Sequence, residues 1–325
     1  ALKRTGAPRP HRPTCLNRCT VTAVEFIRSA GAFRGVYDNS LAQPPAPRSL
    51  AKGDHPCYSS RPNLGDMVGT RQERDAQGPC GTPDRGSVTV NPVRSHPWNV
   101  SPDRAREIQR DLRQHVVVEP LARPPEIVAG VDVSVKGAQA RAAVVLLSLP
   151  ELEPLEAVTA ERPVTFPYVP GLLAFREGPV VLKALERLAA PPDVLIFDAH
   201  GVAHPRRFGL AAHLGVLLDL PSVGCAKSRL CGAYEEPEEK RGSWTYLRDE
   251  KTDGVHEVIG AVVRTRDGVR PVFVSVGHRV DLDAAVSIVL RCAPRYRLPE
   301  TTRWAHHVAG GGDWPRPDQP QRQEL

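Results

Sequence analysis

The stretches IVAGVDVSV at 127–135 and AAVVLLSL at 142–149 decide the fold that this sequence predicts. Both are short and rich in aliphatic or β-branched residues, and the turn-forming pair Lys136-Gly137 lies between them, so they predict the two strands of a β-hairpin. A third strand is predicted at 155–164. The nearly continuous apolar run DVLIF at 193–197 is typical of a strand that is buried on both faces of a sheet.

Segments with helical spacing alternate with these strands. Ser101-Pro102 predicts a capped helix with Pro at its first position, and Pro179 predicts the start of a helix that ends at Ala190. We also predict an amphipathic helix at 208–220 and a capped final helix at 281–292. Further strands are predicted at 222–226, 244–247, 257–264 and 271–275. This order predicts an α/β domain built on a mixed sheet.

Residues 1–97 differ in composition from the rest of the chain. They hold 12 prolines and 14 Lys and Arg against 7 Asp and Glu, whereas the remainder has a net charge of −1. Such a segment buries too little apolar surface to offset the entropy lost on ordering. We therefore predict a disordered Pro- and Arg-rich extension at 1–97, a folded domain at 98–310 and a flexible tail at 311–325. A translation start near Met67, the only methionine, is a further hypothesis.

Cysteine usage and hydropathy bear on the compartment. The chain has seven cysteines, an odd number, and no CxxC pair, so neither a disulfide framework nor a zinc site is expected. No stretch approaches the ~18 consecutive apolar residues that a membrane span needs. We therefore expect a cytoplasmic monomer with reduced thiols and no membrane partner.

Three carboxylates lie at positions that are typical of catalytic or metal-binding groups. Asp132 interrupts an otherwise apolar strand, where an unpaired carboxylate is costly unless a cation or donor meets it. Glu177 precedes Gly178-Pro179 at a predicted helix entry, and Asp198 ends a buried strand, where the sites of open α/β sheets gather. From the residues alone, a loop-capping role for Asp132 and a helix-end charge role for Glu177 stay open as alternatives.

Acidic groups that converge from different elements repel one another unless a divalent cation meets them. Mg²⁺ prefers hard oxygen ligands, uses few protein carboxylates and bridges to phosphate oxygens. It lowers the pKa of an attacking water and stabilises charge on the leaving oxygen of an in-line displacement. If the three carboxylates meet, phosphodiester hydrolysis is the chemistry that they favour.

Five motifs, in order between about Trp98 and about Val308, resemble the endonuclease V family. The longest, FPYVPGLLAFREGP at 166–179, spans fourteen residues. The others are Val131-Asp132-Val133-Ser134, the Asp198 loop through His204-Pro205-Arg206, Gly224-Cys225-Ala226-Lys227-Ser228 and PETTRWAH at 299–306. The resemblance implies a ribonuclease-H-like α/β fold, with a mixed five-stranded sheet flanked by helices.

The resemblance also implies roles for individual residues. Asp132 and Asp198 look like metal ligands, and Glu177 looks like the third acidic group. Lys227 is similar to the family's active-site lysine, which contacts the scissile phosphate or water. His306 matches the active-site histidine near the metal and phosphate. Without the resemblance, Lys227 would be interpreted as a solvated surface residue and His306 as structural.

Substrate contacts are implied for Tyr168, Gly171, Gly201 and His204. Tyr168 lies in a Pro-Tyr-x-Pro-Gly loop, where the family places a strand-separating wedge. Packing beneath the next helix is the alternative role for this ring. Gly171 and Gly201 would let main-chain groups approach hypoxanthine closely, and His204 belongs to a family-like loop.

Two features limit the match. The family usually has Gly directly after the catalytic Asp, whereas this chain has Ala199, whose methyl group could narrow the base pocket or be incompatible with a positive φ. The second is the near-neutral charge of the folded domain. Phosphate contacts are therefore expected from local clusters at Arg206-Arg207, Lys227-Arg229 and Arg295-Arg297.

The function implied is repair of deaminated DNA, by hydrolysis of the backbone one linkage to the 3′ side of deoxyinosine or inosine. Mg²⁺ is the expected cofactor, and DNA or RNA that contains the altered base is the expected partner. Two alternatives stay open. One is a protein of the same fold that binds inosine-containing nucleic acid without efficient cutting, and the other is a small-molecule phosphoesterase that uses the same carboxylates.

Overall fold

One mixed sheet with helices on both faces forms the body of the protein. The structure, a computed structural model, describes residues 90–250 and 256–315. The strands are β1 (Ile127–Lys136), β2 (Gln139–Ser148), β3 (Pro154–Pro163), β4 (Val194–Phe197), β5 (Ser222–Ala226), β6 (Trp244–Glu250), β7 (His256–Val263) and β8 (Val272–His278). The helices are α1 (Pro102–Arg113), α2 (Leu173–Leu185), α3 (Leu210–Leu218), α4 (Leu282–Cys292) and α5 (Glu300–Ala309). Across these described ranges, every helix is too short or too polar to cross a membrane.

The sheet has eight strands in the order β3-β2-β1-β4-β5-β8-β7-β6. The pairs β1–β4 and β4–β5 are parallel, and the other pairs are antiparallel. The predicted mixed α/β architecture is confirmed, but the described residues form eight strands rather than the five that the resemblance implied. The count differs because β8, β7 and β6 extend the same sheet beyond β5 through antiparallel pairs.

The two faces of β1 pack against different helices. Ala129 and Val131 belong to the apolar layer beneath α2 and α3, whereas Val128 belongs to the layer beneath α4. Because alternate strand residues point to opposite faces, Gly130 and Asp132 share the face of Val128. Helix α5 docks on the same face, so close to β1 that a Cβ at Gly130 would lie 2.0 Å from the carbonyl oxygen of Thr301.

Helix α2 begins earlier than the sequence predicted. It starts at Leu173, and Pro179 lies inside it rather than at its first position. Pro has no N–H to donate to the carbonyl four residues earlier, but burial of Leu172 and Phe175 in the apolar cluster with α1 anchors the helix start. Glu177 therefore lies within the helix and not at its entry.

Helix α3 is buried along its whole length, although an amphipathic helix was predicted. The chain that precedes α1 covers it. The main-chain N–H groups of Val93 and Arg94 both donate to the carbonyl oxygen of Leu217, at 2.8 and 3.2 Å. The Nε2 atoms of His96 and His213 lie 2.6 Å apart.

Residues 90–97, which the sequence assigned to the disordered extension, are thus packed against the domain. Val90 is buried in the apolar layer beneath α2 and α3, but the other contacts named here are made by main-chain groups and an imidazole. Because no apolar run makes these contacts, composition did not predict them. The remainder of the predicted extension, residues 1–89 with Met67, lies outside the described residues. So do residues 316–325 of the predicted tail.

The helix caps predicted at two positions are confirmed. Ser101 Oγ accepts a hydrogen bond from the main-chain N–H of Arg104 at 3.3 Å, and Asp281 Oδ1 accepts one from Ala284 at 2.7 Å. Each satisfies an N–H group that the first turn of a helix leaves without a partner. The caps fix where α1 and α4 begin.

Helix α5 was not predicted. Its sequence, ETTRWAHHVA, mixes small, polar and aromatic residues, so its buried face carries few large apolar side chains. The residues that it buries are small, namely Thr301, Thr302, Ala305, Val308 and Ala309. Small residues allow a close approach to β1, and that approach brings the rest of the helix over the end of the strand.

Candidate active site

The pairing of β1 with β4 sets two carboxylates side by side. Val131 is the parallel partner of Phe197, so Asp132 and Asp198 occupy the next position on each strand. Neighbouring strands lie about 4.8 Å apart. The predicted convergence of Asp132 and Asp198 therefore follows from strand register, at the edge where the parallel strands end.

Each of these carboxylates has a nitrogen partner from another part of the chain. Asp132 Oδ2 lies 2.7 Å from Nδ1 of His306 on α5, and its side chain is 15% exposed. Asp198, 8% exposed, forms an ion pair with Nζ of Lys227, which follows β5. Burial raises the pKa of Asp132, the hydrogen bond from His306 lowers it, and the charge of Asp198 raises it again. The structure thus brings together all four of these predicted site residues.

Glu177 lies near the carboxylate pair on a different element, helix α2. Burial raises the pKa of Glu177 to about 8, and the charge of Asp132 adds to this increase. Arg176 opposes the increase, and Asp198 contributes to it. The negative charges of both aspartates thus favour the protonated form of Glu177, which predominates at neutral pH when no metal is bound.

The donor set fits a magnesium ion with few protein ligands. Within residues 90–250 and 256–315, no three His, Cys, Asp or Glu side chains form a cluster with metal-holding geometry. Asp132 and Asp198 supply two adjacent hard-oxygen donors. Mg²⁺ keeps several waters and binds through one or two carboxylates, so this pair suits it and Glu177 would act from outside the immediate ligands.

The raised pKa of Glu177 predicts a pH-dependent stability. Between the ordinary value of 4.5 and about 8, the folded protein keeps a proton on Glu177 that the unfolded chain releases. The free energy of unfolding should therefore fall as pH rises through this window. In EDTA, Glu177→Gln should be more stable than the unaltered protein at pH 9 by on the order of 2 kcal/mol.

Thermal unfolding at pH 4 and pH 9 measures this difference. At pH 4 both states of the unaltered protein carry the proton, so the two proteins should unfold alike apart from a constant offset. Glu186→Gln, an exposed change at the end of the same helix, is the control. An equal offset for Glu177→Gln at both pH values would contradict the assignment.

A cavity of about 430 Å³ opens beside Asp198 and Lys227. Its lining comes from the loop before α2, the loop after β4 and the segment after β5. Tyr168, Gly171, Ala199 and His204 all contribute to the wall. Tyr168 is 72% exposed, so the alternative in which its ring packs beneath α2 is wrong.

Gly171 has a conformation that requires glycine. Its φ is +79°, and a Cβ there would lie 2.6 Å from Nη2 of Arg206. Its carbonyl oxygen accepts hydrogen bonds from three side chains, those of Gln109, His204 and Arg206. The main chain at the mouth of the cavity is therefore held rigidly.

His204 and Gly201 contribute less directly than the sequence suggested. Burial, and next the charge of Arg206, lower the pKa of His204 to about 4, so it is neutral and donates from Nε2 to the Gly171 carbonyl oxygen. Gly201 does not line the cavity. Its N–H donates to Ser275 Oγ at 2.9 Å, and a Cβ would lie 2.0 Å from the Val276 carbonyl oxygen.

Ala199 is buried and lines the cavity next to Asp198. The described non-glycine residues with positive φ are Leu152, Arg207, Asp219 and Arg279. Ala199 is not one of them, so its methyl group causes no backbone strain. Of the two effects expected from the departure at this position, only the narrower cavity remains.

Arg207 is not available to a phosphate backbone. It donates to Asp249 and Glu257, both at 2.9 Å, and it thereby ties the loop after β4 to β6 and β7. Arg297 is likewise engaged with main-chain carbonyl oxygens, including that of Lys227. Two of the basic residues expected to contact phosphate thus organise the loops around the site.

Comparison with known proteins identifies the family to which the chain belongs. A family model described as Endonuclease V matches residues 110–307 of the chain. The chain belongs to the endonuclease V family. An endonuclease V from Roseiflexus sp. (strain RS-1) is 53% identical over 220 residues, which cover 68% of this chain and 97% of that relative.

Solved structures of endonuclease V share the fold. The crystal structure from Streptomyces avermitilis is 45% identical, with a TM-score of 0.62, and the match covers 69% of this chain and 97% of that one. Endonuclease V of Ciona intestinalis, in complex with a 24-mer DNA containing an inosine followed by a ribo-adenosine, is 28% identical with a TM-score of 0.54. That match covers 64% of this chain and 96% of the other. Members of the family are metal-dependent nucleases, so the prediction of a hydrolytic enzyme is confirmed.

Two residues at the site of this endonuclease V family member, Gln109 and His200, were not predicted from the sequence. Gln109 is 1% exposed and donates to the carbonyl oxygens of Gly171 and Phe208. A glutamine on the buried face of an amphipathic helix needs such partners, and its place beside Ile108 was the available signal. His200 lines the cavity, and burial lowers its pKa.

Proposed function

We propose that this protein is a Mg²⁺-dependent endonuclease that hydrolyses the backbone on the 3′ side of deoxyinosine or inosine, in the repair of deaminated DNA. The observation that carries the proposal is the parallel register of β1 and β4, which places Asp132 beside Asp198, and Asp198 lines a cavity of about 430 Å³. The contiguous strands β3-β2-β1-β4-β5 would correspond to the ribonuclease-H-like core. The inosine-containing DNA in the Ciona intestinalis complex supports the choice of substrate.

The residues around the carboxylates have distinct tasks in this proposal. Asp132 and Asp198 would hold Mg²⁺, which when bound activates a water and stabilises charge on the leaving oxygen. Lys227, fixed by its ion pair with Asp198, presents positive charge where the scissile phosphate would lie. His306 orients Asp132 through a 2.7 Å hydrogen bond. Substrate binding would bring Glu177 close to water and phosphate.

The cavity next to Lys227 would take the altered base. Its mouth is held by the Gly171 carbonyl oxygen and its three donors, so the main chain is pre-ordered for a flat ligand. A duplex hides its bases, so the target must be turned out of the stack before it can enter such a cavity. The exposed Tyr168 at the rim would fill the gap left in the strand.

Paired oligonucleotides that differ in one inosine test the proposal. With Mg²⁺, the inosine strand should be cut one linkage to the 3′ side of the inosine, which leaves a 3′-hydroxyl and a 5′-phosphate. The matched strand without inosine should stay intact. Equal cutting of both strands, or no cutting with tight binding in Ca²⁺, would reject the proposal. The second outcome would favour the inosine-binding alternative, and activity on free nucleotides alone would favour a phosphoesterase.

If Tyr168 separates the strands, its removal should lower kcat/KM more on duplex than on single-stranded substrates. Tyr168→Ala should lower kcat/KM on inosine-containing duplex by about 10-fold or more, because a stacked aromatic is worth ~1–3 kcal/mol. Tyr168→Phe keeps the ring and should retain most of the activity. Single strands need no separation, so the loss there should be smaller. Equal losses on both substrates would argue against a wedge.

A further inference from the structure

A second aromatic surface, formed by Tyr296 and Arg303, lies outside the cavity. Tyr296, between α4 and α5, is 44% exposed. The guanidinium carbon of Arg303 lies 3.4 Å from the centroid of the tyrosine ring. Arg303 is itself fixed, because its Nη1 donates to Glu300 Oε2 at 2.8 Å. The Tyr296–Arg303 stack is therefore ordered before any ligand arrives, and only part of the ring is covered.

Two connections place this stack next to the reactive groups. Arg303 and His306 are three residues apart on α5 and so lie on the same side of the helix, and His306 contacts Asp132 at 2.7 Å. Arg297, the residue after Tyr296, donates to the main-chain oxygen of Lys227 at 2.7 Å, and Lys227 pairs with Asp198. The residues of the stack thus adjoin one residue that contacts Asp132 and one that is bonded to the partner of Asp198.

The stack and the cavity share no residue. The cavity is lined by Asp198, Lys227 and Tyr168 among others, but by no residue of α5 or of 294–298. Asp132, on the neighbouring strand, contacts α5 instead. A strand with one base in the cavity and a phosphate at the aspartates would reach α5 on passing Asp132.

We propose that the Tyr296–Arg303 stack binds the base of the nucleotide immediately 3′ of the nick. This inference rests on the proposed function, in which the altered base in the cavity lies 5′ of the cut. Aromatic rings and guanidinium planes stack on any base, because every base has a π-face. The exposed Arg295 adds positive charge for the adjoining phosphates. The stack would hold the strand that leaves with the 5′-phosphate, without reading its sequence.

Binding of inosine-containing single strands in Ca²⁺, measured by fluorescence anisotropy, tests this inference. The base 3′ of the nick is either present or replaced by an abasic residue. The unaltered protein should bind the intact strand about 10-fold more tightly than the abasic one. Tyr296→Ala should bind the two strands equally, at the weaker affinity, whereas Tyr296→Phe should keep the preference.

Tyr246→Ala is the matched control. Tyr246 is also paired with an arginine, since the guanidinium carbon of Arg248 lies 4.8 Å from its ring centroid, but it belongs to the edge strand β6. This variant should keep the 10-fold preference. A purely structural role for Tyr296 predicts equal weakening on intact and abasic strands, and that result would overturn the inference.

Nicking of the intact strand in Mg²⁺ separates the two proposals. If the unaltered protein cuts only inosine strands but binds the intact and the abasic strand with equal affinity, the stack does not hold that nucleotide and the proposed function stands. If it neither binds nor cuts inosine strands, the proposed function fails and the assignment of the stack fails with it.

Discussion

Replacing Asp132 by Asn should abolish nicking while leaving inosine-containing strands bound. Asn keeps the size of the side chain and can still accept a hydrogen bond from His306, but it removes a charged oxygen donor from the pair with Asp198. We expect kcat to fall by at least about 10³-fold in Mg²⁺, with the Kd for the strand in Ca²⁺ changed by less than about 3-fold. Single-turnover cleavage and anisotropy measure the two quantities.

The exposed carboxylate of Asp283, on α4, provides the control for charge alone. Asp283→Asn removes the same charge from the protein and should cut at the unaltered rate. Cleavage by Asp132→Asn at more than about a tenth of the unaltered rate would remove Asp132 from the mechanism. Loss of binding together with cleavage would indicate a folding defect, which a melting curve would reveal.

The second large effect is expected on stability, at Gly130. A Cβ at this position would lie 2.0 Å from the carbonyl oxygen of Thr301 and 2.3 Å from its carbonyl carbon. Both are main-chain atoms of α5, so the clash cannot be relieved by rotating a side chain. Gly130→Ala should therefore push α5 away from β1, at a cost of about 3 kcal/mol and a fall in Tm of roughly 5–12 °C.

Activity should fall with stability in this variant, because α5 carries His306 over Asp132. Gly310→Ala is the matched control at the end of the same helix, where the added Cβ would come no closer than 3.3 Å to its neighbours. It should change Tm by only a degree or two. A Gly130→Ala protein with unaltered Tm would show that α5 docks less closely than described.

Local chemistry explains why much of the fold was predictable. The hairpin of β1 and β2 has apolar strands and a Lys136-Gly137 turn, and the caps at Ser101 and Asp281 are single-residue signals. The pairing of Asp132 with Asp198 was also within reach, since one interrupts a buried strand and the other ends one. Their family-like motifs supplied the roles that spacing alone left open.

Other parts depend on contacts between distant segments, which no local pattern carries. Docking of α5 depends on Gly130 of β1, which precedes its contact Thr301 by 171 positions. Burial of α3 depends on residues 90–97, which pack over it. The start of α2 before Pro179 depends on packing against α1. Gln109 was missed for the same reason, because its partners belong to other elements.

The hydrogen bonds from Val93 and Arg94 to α3 limit how far the protein can be trimmed. A minimal enzyme that started at Trp98 would leave the Leu217 carbonyl oxygen and the imidazole of His213 facing water in place of their present partners. It would also expose α3, whose residues are apolar or glycine apart from His213, and such a surface favours aggregation. Protein engineers who shorten or fuse this nuclease should therefore join it upstream of Val90.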